Sequence, residues 1–185
     1  IFWLLTGKKL EAFQRGDMGL NVSMPQPRVD VILGSRSDVE EAKPGLTVLR
    51  NALPDQNVRV HIASCHRNLE EIERFAKEAD CDVIIAGAGM AAALPGVLDT
   101  FLRANGKEIP VIGVGFGKEG TEGFAAARLS IEQVPGHFVV TREDGTAYMG
   151  SKGLQEAATR VVEGELPPWK PRKNKPAEWN IPRGV

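Results

Sequence analysis

Five short apolar runs, at 29–33, 58–62, 82–86, 110–114 and 137–141, constrain this chain more than any other feature, because each leads through small or polar residues into a helical pattern. β-branched residues dominate the runs, as in strands covered on both faces, and the alternation is that of parallel strands joined by crossover helices. The expected fold is therefore α/β, a three-layer doubly wound parallel sheet. With 185 residues and 42% hydrophobic content, the chain has enough apolar material for one well-buried core, and two would be a squeeze.

Local signals place the helices. Leu69, Ile72, Phe75, Ala76 and Ala79 recur at spacings of three and four, which predicts a helix laying one stripe on the sheet. Asn68 with Glu71 three residues on reads as its capping box, and Ser37 with Glu40 reads the same way for an earlier helix. Pro44 is expected to end or kink that earlier helix. Two Ala-rich stretches, 120–131 and 152–162, supply further helical patterns. The expected organisation is an α/β domain over 28–164, a short N-terminal extension over 1–27, and a tail over 165–185 that is too rich in Pro and Lys for a regular helix or a central strand.

Charge and cysteine content exclude several classes. Lys plus Arg total 23 against 24 Asp plus Glu, a formal charge of -1, so no field gathers nucleic acid or an anionic membrane. Any anionic ligand must be caught locally. Cys65 and Cys81 stand alone without CxxC spacing, which points to a reducing cytoplasm rather than a disulfide scaffold. The apolar opening from Ile1 to Leu5 is too short to span a bilayer and lacks the pattern of a signal peptide.

In an open parallel sheet a ligand binds outside the carboxyl ends of the strands, where strand order reverses. Three loops fall at such ends. Gly34-Ser35-Arg36-Ser37-Asp38 offers two hydroxyls and backbone N–H groups at a helix start, a setting that favours phosphate, while Asp38 can accept from ribose hydroxyls. Ser64-Cys65-His66-Arg67 combines a side chain suited to acid and base work near neutral pH with a bidentate anion partner. Cys65 could be imagined as a nucleophile, but no second base is visible for it and it reads as a small buried thiol. The run 87–96 is nearly free of polar side chains, so its backbone can approach a planar ring or a carboxylate closely. Each loop also has a plain structural reading, as a helix cap, a core histidine or a tight strand-to-helix turn. The spacing of the 87–96 run is not a dinucleotide GxGxxG, nothing matches a Walker loop, and with only three histidines a zinc site is not expected.

Taken in order, Gly34-Ser-Arg-Ser-Asp38, Ser64-Cys-His-Arg67, Val83-Ile-Ile-Ala-Gly-Ala-Gly89, Leu94-Pro-Gly96, Pro110-Val-Ile-Gly-Val114 and Ser130-Ile-Glu-Gln-Val-Pro135 closely resemble the class I N5-carboxyaminoimidazole ribonucleotide mutases of purine biosynthesis, from about residue 29 to 163. The resemblance implies a flavodoxin-like subunit of a cytoplasmic homo-octamer and a cofactor-free shift of a carboxyl group from nitrogen to ring carbon C4 of an aminoimidazole ribonucleotide. It also implies His66 as the general acid and base. Ser37 and Arg67 would hold the phosphate, bordered by Gly34, Ser35, Ser64 and Cys65, and Asp38 the ribose. The backbone of Gly87, Ala88, Gly89, Ala92 and Leu94 would face the carboxylate.

The chain departs from the family pattern Gly-Gly-Ala-Ala-His-Leu-Pro-Gly, reading Gly89-Met-Ala-Ala-Ala-Leu-Pro-Gly96, so Met90 stands for a glycine and Ala93 for a histidine. Cys65 replaces the usual alanine, and 142–150 reads as a longer segment. His137 is a candidate to replace the lost histidine from a neighbouring subunit. Two rival readings follow from the departures: a same-fold carboxylase or decarboxylase with another phosphorylated substrate, and a non-catalytic nucleotide-binding relative. Pyridinium carboxylases share the fold but rely on a cysteine in the segment matching 133–136, where this chain has none.

Overall fold

The computed structural model describes residues 26–134, 136 and 138–166, so most of both terminal segments, and His137 with them, lie outside the described residues. Its strands are β1 (Val29–Leu33), β2 (Val58–Ile62), β3 (Val83–Ala88), β4 (Val111–Gly115) and β5 (Tyr148–Met149). Between and after them run α1 (Asp38–Ala52), α2 (Leu69–Glu78), α3 (Leu94–Ala104), α4 (Glu122–Glu132) and α5 (Gly150–Glu163). All strand pairs are parallel and the order is β2-β1-β3-β4-β5. The order reverses between β1 and β3, and the expected ligand crevice falls there.

Alternation along the strands divides the core between the two faces. Val29, Val31, Leu33, Val83 and Ile85 pack with α1 and α5, while Ile32, Ile84 and Ala86 pack with α2, α3 and α4. These are the three layers read from the sequence. Helix α1 does not stop at Pro44. It runs on to Ala52, because Ala42, Gly45 and Leu49 are buried along α5 and Pro44 faces solvent, so only one backbone hydrogen bond is lost.

That helix pair is close enough to be tested at one residue. A Cβ on Gly45 would lie 1.8 Å from Leu154 Cδ2 and 2.8 Å from the Leu154 carbonyl oxygen. The side chain can turn away, but the carbonyl cannot. Gly45→Ala is expected to cost about 1–3 kcal/mol by overpacking, read as a lower denaturation midpoint at unchanged m.

The fifth strand is not the expected run 137–141. That segment contributes a single parallel bridge, Val140 to Ile112, and the strand is the two-residue Tyr148–Met149 beyond it. The turn between is held by Arg142, which bonds the Thr146 and Ala147 side of the loop and pairs with Glu156. The third loop is also shorter than 87–96, since β3 continues through Ala88 and α3 begins at Leu94. Leu69, expected on the buried stripe of α2, is exposed, whereas Ile72, Ala76 and Ala79 are buried. It lies at the helix start, beyond the sheet surface its neighbours cover.

Candidate active site

The loops after β1, β2 and β3 meet at the switch point. The Gly34 N–H donates to the Gly87 carbonyl at 2.9 Å, and the Arg67 guanidinium donates to the Gly34 carbonyl at 3.3 Å. A Cβ on Gly34 would lie 3.2 Å from the Ala88 Cβ and 3.6 Å from Asp38 Oδ2, and one on Gly89 would lie 3.8 Å from Asp38 Oδ1. Gly34, Asp38, Arg67, Ala88 and Gly89 are thus brought together, as the sequence led us to expect.

Neither expected capping box forms. The Ser37 hydroxyl caps no backbone N–H of its helix; it faces Ser35 Oγ at 2.9 Å and Asp38 Oδ1 at 3.4 Å. Two hydroxyls therefore cluster at the start of a 15-residue helix, where unpaired N–H groups and the helix dipole favour an anion. Asn68 likewise makes no bond to α2; its Oδ1 accepts the Ser64 N–H at 3.2 Å and ties the His66 loop shut. Both polar side chains serve loops rather than helix ends, a choice that local spacing does not reveal.

His66 lies at the tip of β2 in a tight turn, with the Arg67 and Asn68 N–H groups returning to the Ser64 carbonyl and the His66 N–H donating to Ser64 Oγ at 3.3 Å. His66 and Arg67 are exposed, while Ser64 and Cys65 are buried. The Cys65 side chain packs with Ile32 and Ile72, and burial pushes its thiol pKa up, so the inert reading of this cysteine holds. Ala92 and Leu94 also place their side chains in the core and can offer a ligand only backbone. Gly87 serves packing, since a Cβ there would meet the Phe116 ring at 2.5 Å. Ala91 adopts φ 58°, a left-handed backbone that costs a non-glycine residue about 1 kcal/mol or more.

Asp38 is only 8% exposed, and its Oδ2 has no hydrogen-bond partner. Burial raises its carboxyl pKa, against hydrogen bonds from Ser35 and Ser37 that lower it. A raised folded pKa means stability that is present below the usual carboxyl range and lost as pH rises through the folded value. Asp38→Asn is accordingly expected to raise Tm at pH 7, with the gain shrinking as pH falls towards 3.8. Thermal melts at the two pH values check it.

One site neighbour and one buried ion pair were not read from the sequence. Glu41, one turn into α1, accepts the Gly117 N–H at 3.4 Å and joins the loop after β4 to the site. Away from the site, near the start of β1, Asp30 is buried and accepts from Arg59 on β2 at 2.7 and 2.9 Å, with His61 Nε2 3.7 Å away. No signal short of the register, which pairs Asp30 with Arg59, discloses that network.

A doubly wound α/β protein with two hydroxyls at a helix start and an exposed histidine beside its switch point is the class that fold and site define. Residues 28–158 match the family described as AIR carboxylase, and the chain belongs to that family. It is 36% identical over 145 residues to an N5-carboxyaminoimidazole ribonucleotide mutase of Pyrococcus abyssi, covering 77% of this chain and 75% of that one. A mutase of the same name from Saccharolobus solfataricus is 39% identical over 139 residues, covering 74% and 81%. A crystal structure of a PurE2 protein from Treponema denticola shares the fold with a TM-score of 0.56 at 20% identity, covering 75% of this chain and 80% of that one.

Proposed function

We propose that this chain is an N5-carboxyaminoimidazole ribonucleotide mutase of purine biosynthesis, moving a carboxyl group from the exocyclic nitrogen to C4 of the aminoimidazole ring. The observation that carries the chemistry is the exposed His66 at the tip of β2, one residue from an Arg67 that bonds the Gly34 loop. Ser35, Ser37 and Arg67 hold the 5'-phosphate, Asp38 accepts from the ribose hydroxyls, and the backbone around Gly89 faces the carboxylate.

In the first half of the reaction the N–C bond breaks, carbon dioxide departs, and His66 protonates the nitrogen that keeps the bonding pair. In the second, ring carbon C4 attacks carbon dioxide and His66 takes the C4 proton. The two transfers run in opposite directions, so one imidazole serves both and no cofactor is needed. Sequestering carbon dioxide requires a closed pocket.

A homo-oligomer suits that need. Val60 and Ile62 are 48% and 47% exposed on β2, an edge strand whose free backbone and apolar side chains fit burial by a second copy. Among the described residues no helix is long and apolar enough to cross a membrane, and Cys65 and Cys81 are free and buried, in keeping with a cytoplasmic enzyme.

The test is conversion of N5-carboxyaminoimidazole ribonucleotide to its C4-carboxylated isomer, followed by carbon-13 NMR against the uncatalysed background. Isomer formation at a rate set by enzyme concentration is expected. Decarboxylation at the background rate with no isomer formed would overturn the proposal.

A further inference from the structure

Met90 is 80% exposed, more than any other large apolar side chain among the described residues, and it stands on the loop between β3 and α3. Neither its helix nor its strand explains that exposure, because Gly89 and Ala92 close the loop by their own hydrogen bond at 2.8 Å. The strained Ala91 beside it fixes the loop's path. On one side, Gly89 approaches the Asp38 carboxylate; on the other, Met90 Cβ and Cγ lie 3.8 Å from where a Gly123 Cβ would be, at the start of α4. Met90 thus stands between the third loop, which brings Gly89 to Asp38, and the start of α4, where the bare Gly123 leaves it room. A flexible, polarisable thioether in that place packs against an apolar or planar ligand surface and excludes water.

Resting on the mutase reading, we propose that Met90 is a specificity-determining residue that walls in the carbon dioxide released midway, so that recarboxylation at C4 outruns escape. The bonding is that given above: the N–C bond breaks with its electron pair left on nitrogen, the C4–C bond forms from the ring's electrons, and the proton gained at nitrogen is matched by the proton lost from C4. Met90 takes no part in either transfer. It acts on where the neutral one-carbon intermediate goes.

The experiment supplies substrate labelled with carbon-13 at the carboxyl group and measures, for each enzyme-catalysed turnover, the label lost to bulk bicarbonate against the label kept at C4. Met90→Ala and Met90→Gln, one removing the bulk and the other keeping length but adding polarity, are expected to raise the lost fraction at least fivefold. Met90→Leu is expected to restore the wild-type ratio. Thermal melts confirm that the variants are folded, as the exposure of residue 90 leads one to expect. A wild-type ratio in both Met90→Ala and Met90→Gln, with the parent turning over, overturns this assignment alone. No isomer from the parent enzyme overturns the mutase reading and the assignment together.

Discussion

Replacing His66 by Asn is expected to lower kcat by about two to four orders of magnitude while KM changes little. Asn keeps much of the size and hydrogen-bonding capacity of the imidazole but cannot exchange a proton, and both halves of the proposed reaction require an exchange. Binding should survive, because the phosphate and ribose are assigned to Ser35, Ser37, Asp38 and Arg67, none of which depends on the imidazole for its position. The Ser64 turn that presents residue 66 is built from backbone, Ser64 Oγ and Asn68, so the variant should melt near the parent temperature. Initial rates over a substrate series separate the two constants. A loss confined to KM would mean that residue 66 binds substrate and transfers no proton.

Arg59→Ala should produce the largest loss of stability. Asp30 is buried and receives two hydrogen bonds from Arg59, so removing the guanidinium strands a carboxylate inside the sheet. Breaking a buried pair from one side costs about 3–5 kcal/mol, and because the Arg59 side chain is 48% exposed, water can partly replace it and the low end applies, about 3 kcal/mol. For a chain of this size that is roughly 10 °C in Tm. Although burial raises the Asp30 pKa, the nearby His61 ring and the two hydrogen bonds from Arg59 outweigh it and hold the carboxyl below its usual 3.8. With a lowered folded pKa, the pair's contribution is present above 3.8 and fades as pH falls through the folded value. The difference between parent and variant is therefore expected to be full at pH 7 and to narrow below pH 4, and melts across that range check it. A pH-independent difference would assign the loss to packing of the arginine stem.

Four of the five strands were legible because their apolar runs are long enough to pair along most of their length. The fifth was not: the 137–141 run has a strand-like pattern, but β4 shares its outer edge between Val140 and the Tyr148–Met149 pair, which carries no such pattern. Pro44 misled in the opposite direction: a local breaker was overridden by tight packing of α1 on α5. At the site, the loops could be named from their place after strands, and His66 from its chemistry. What sequence spacing does not hold is the third dimension. That Asp38 lacks a partner at Oδ2, that Asn68 serves the His66 turn rather than its helix, and that Glu41 reaches the Gly117 loop all depend on segments distant in the chain.

The most direct measurement is a crystal structure of this chain with the C4-carboxylated aminoimidazole ribonucleotide bound. The phosphate is expected at the start of α1 among Ser35, Ser37 and Arg67, with an imidazole nitrogen of His66 about 3 Å from C4 or from the exocyclic nitrogen. A nucleotide seated elsewhere, or seated there with the His66 ring turned away from the base, would contradict it.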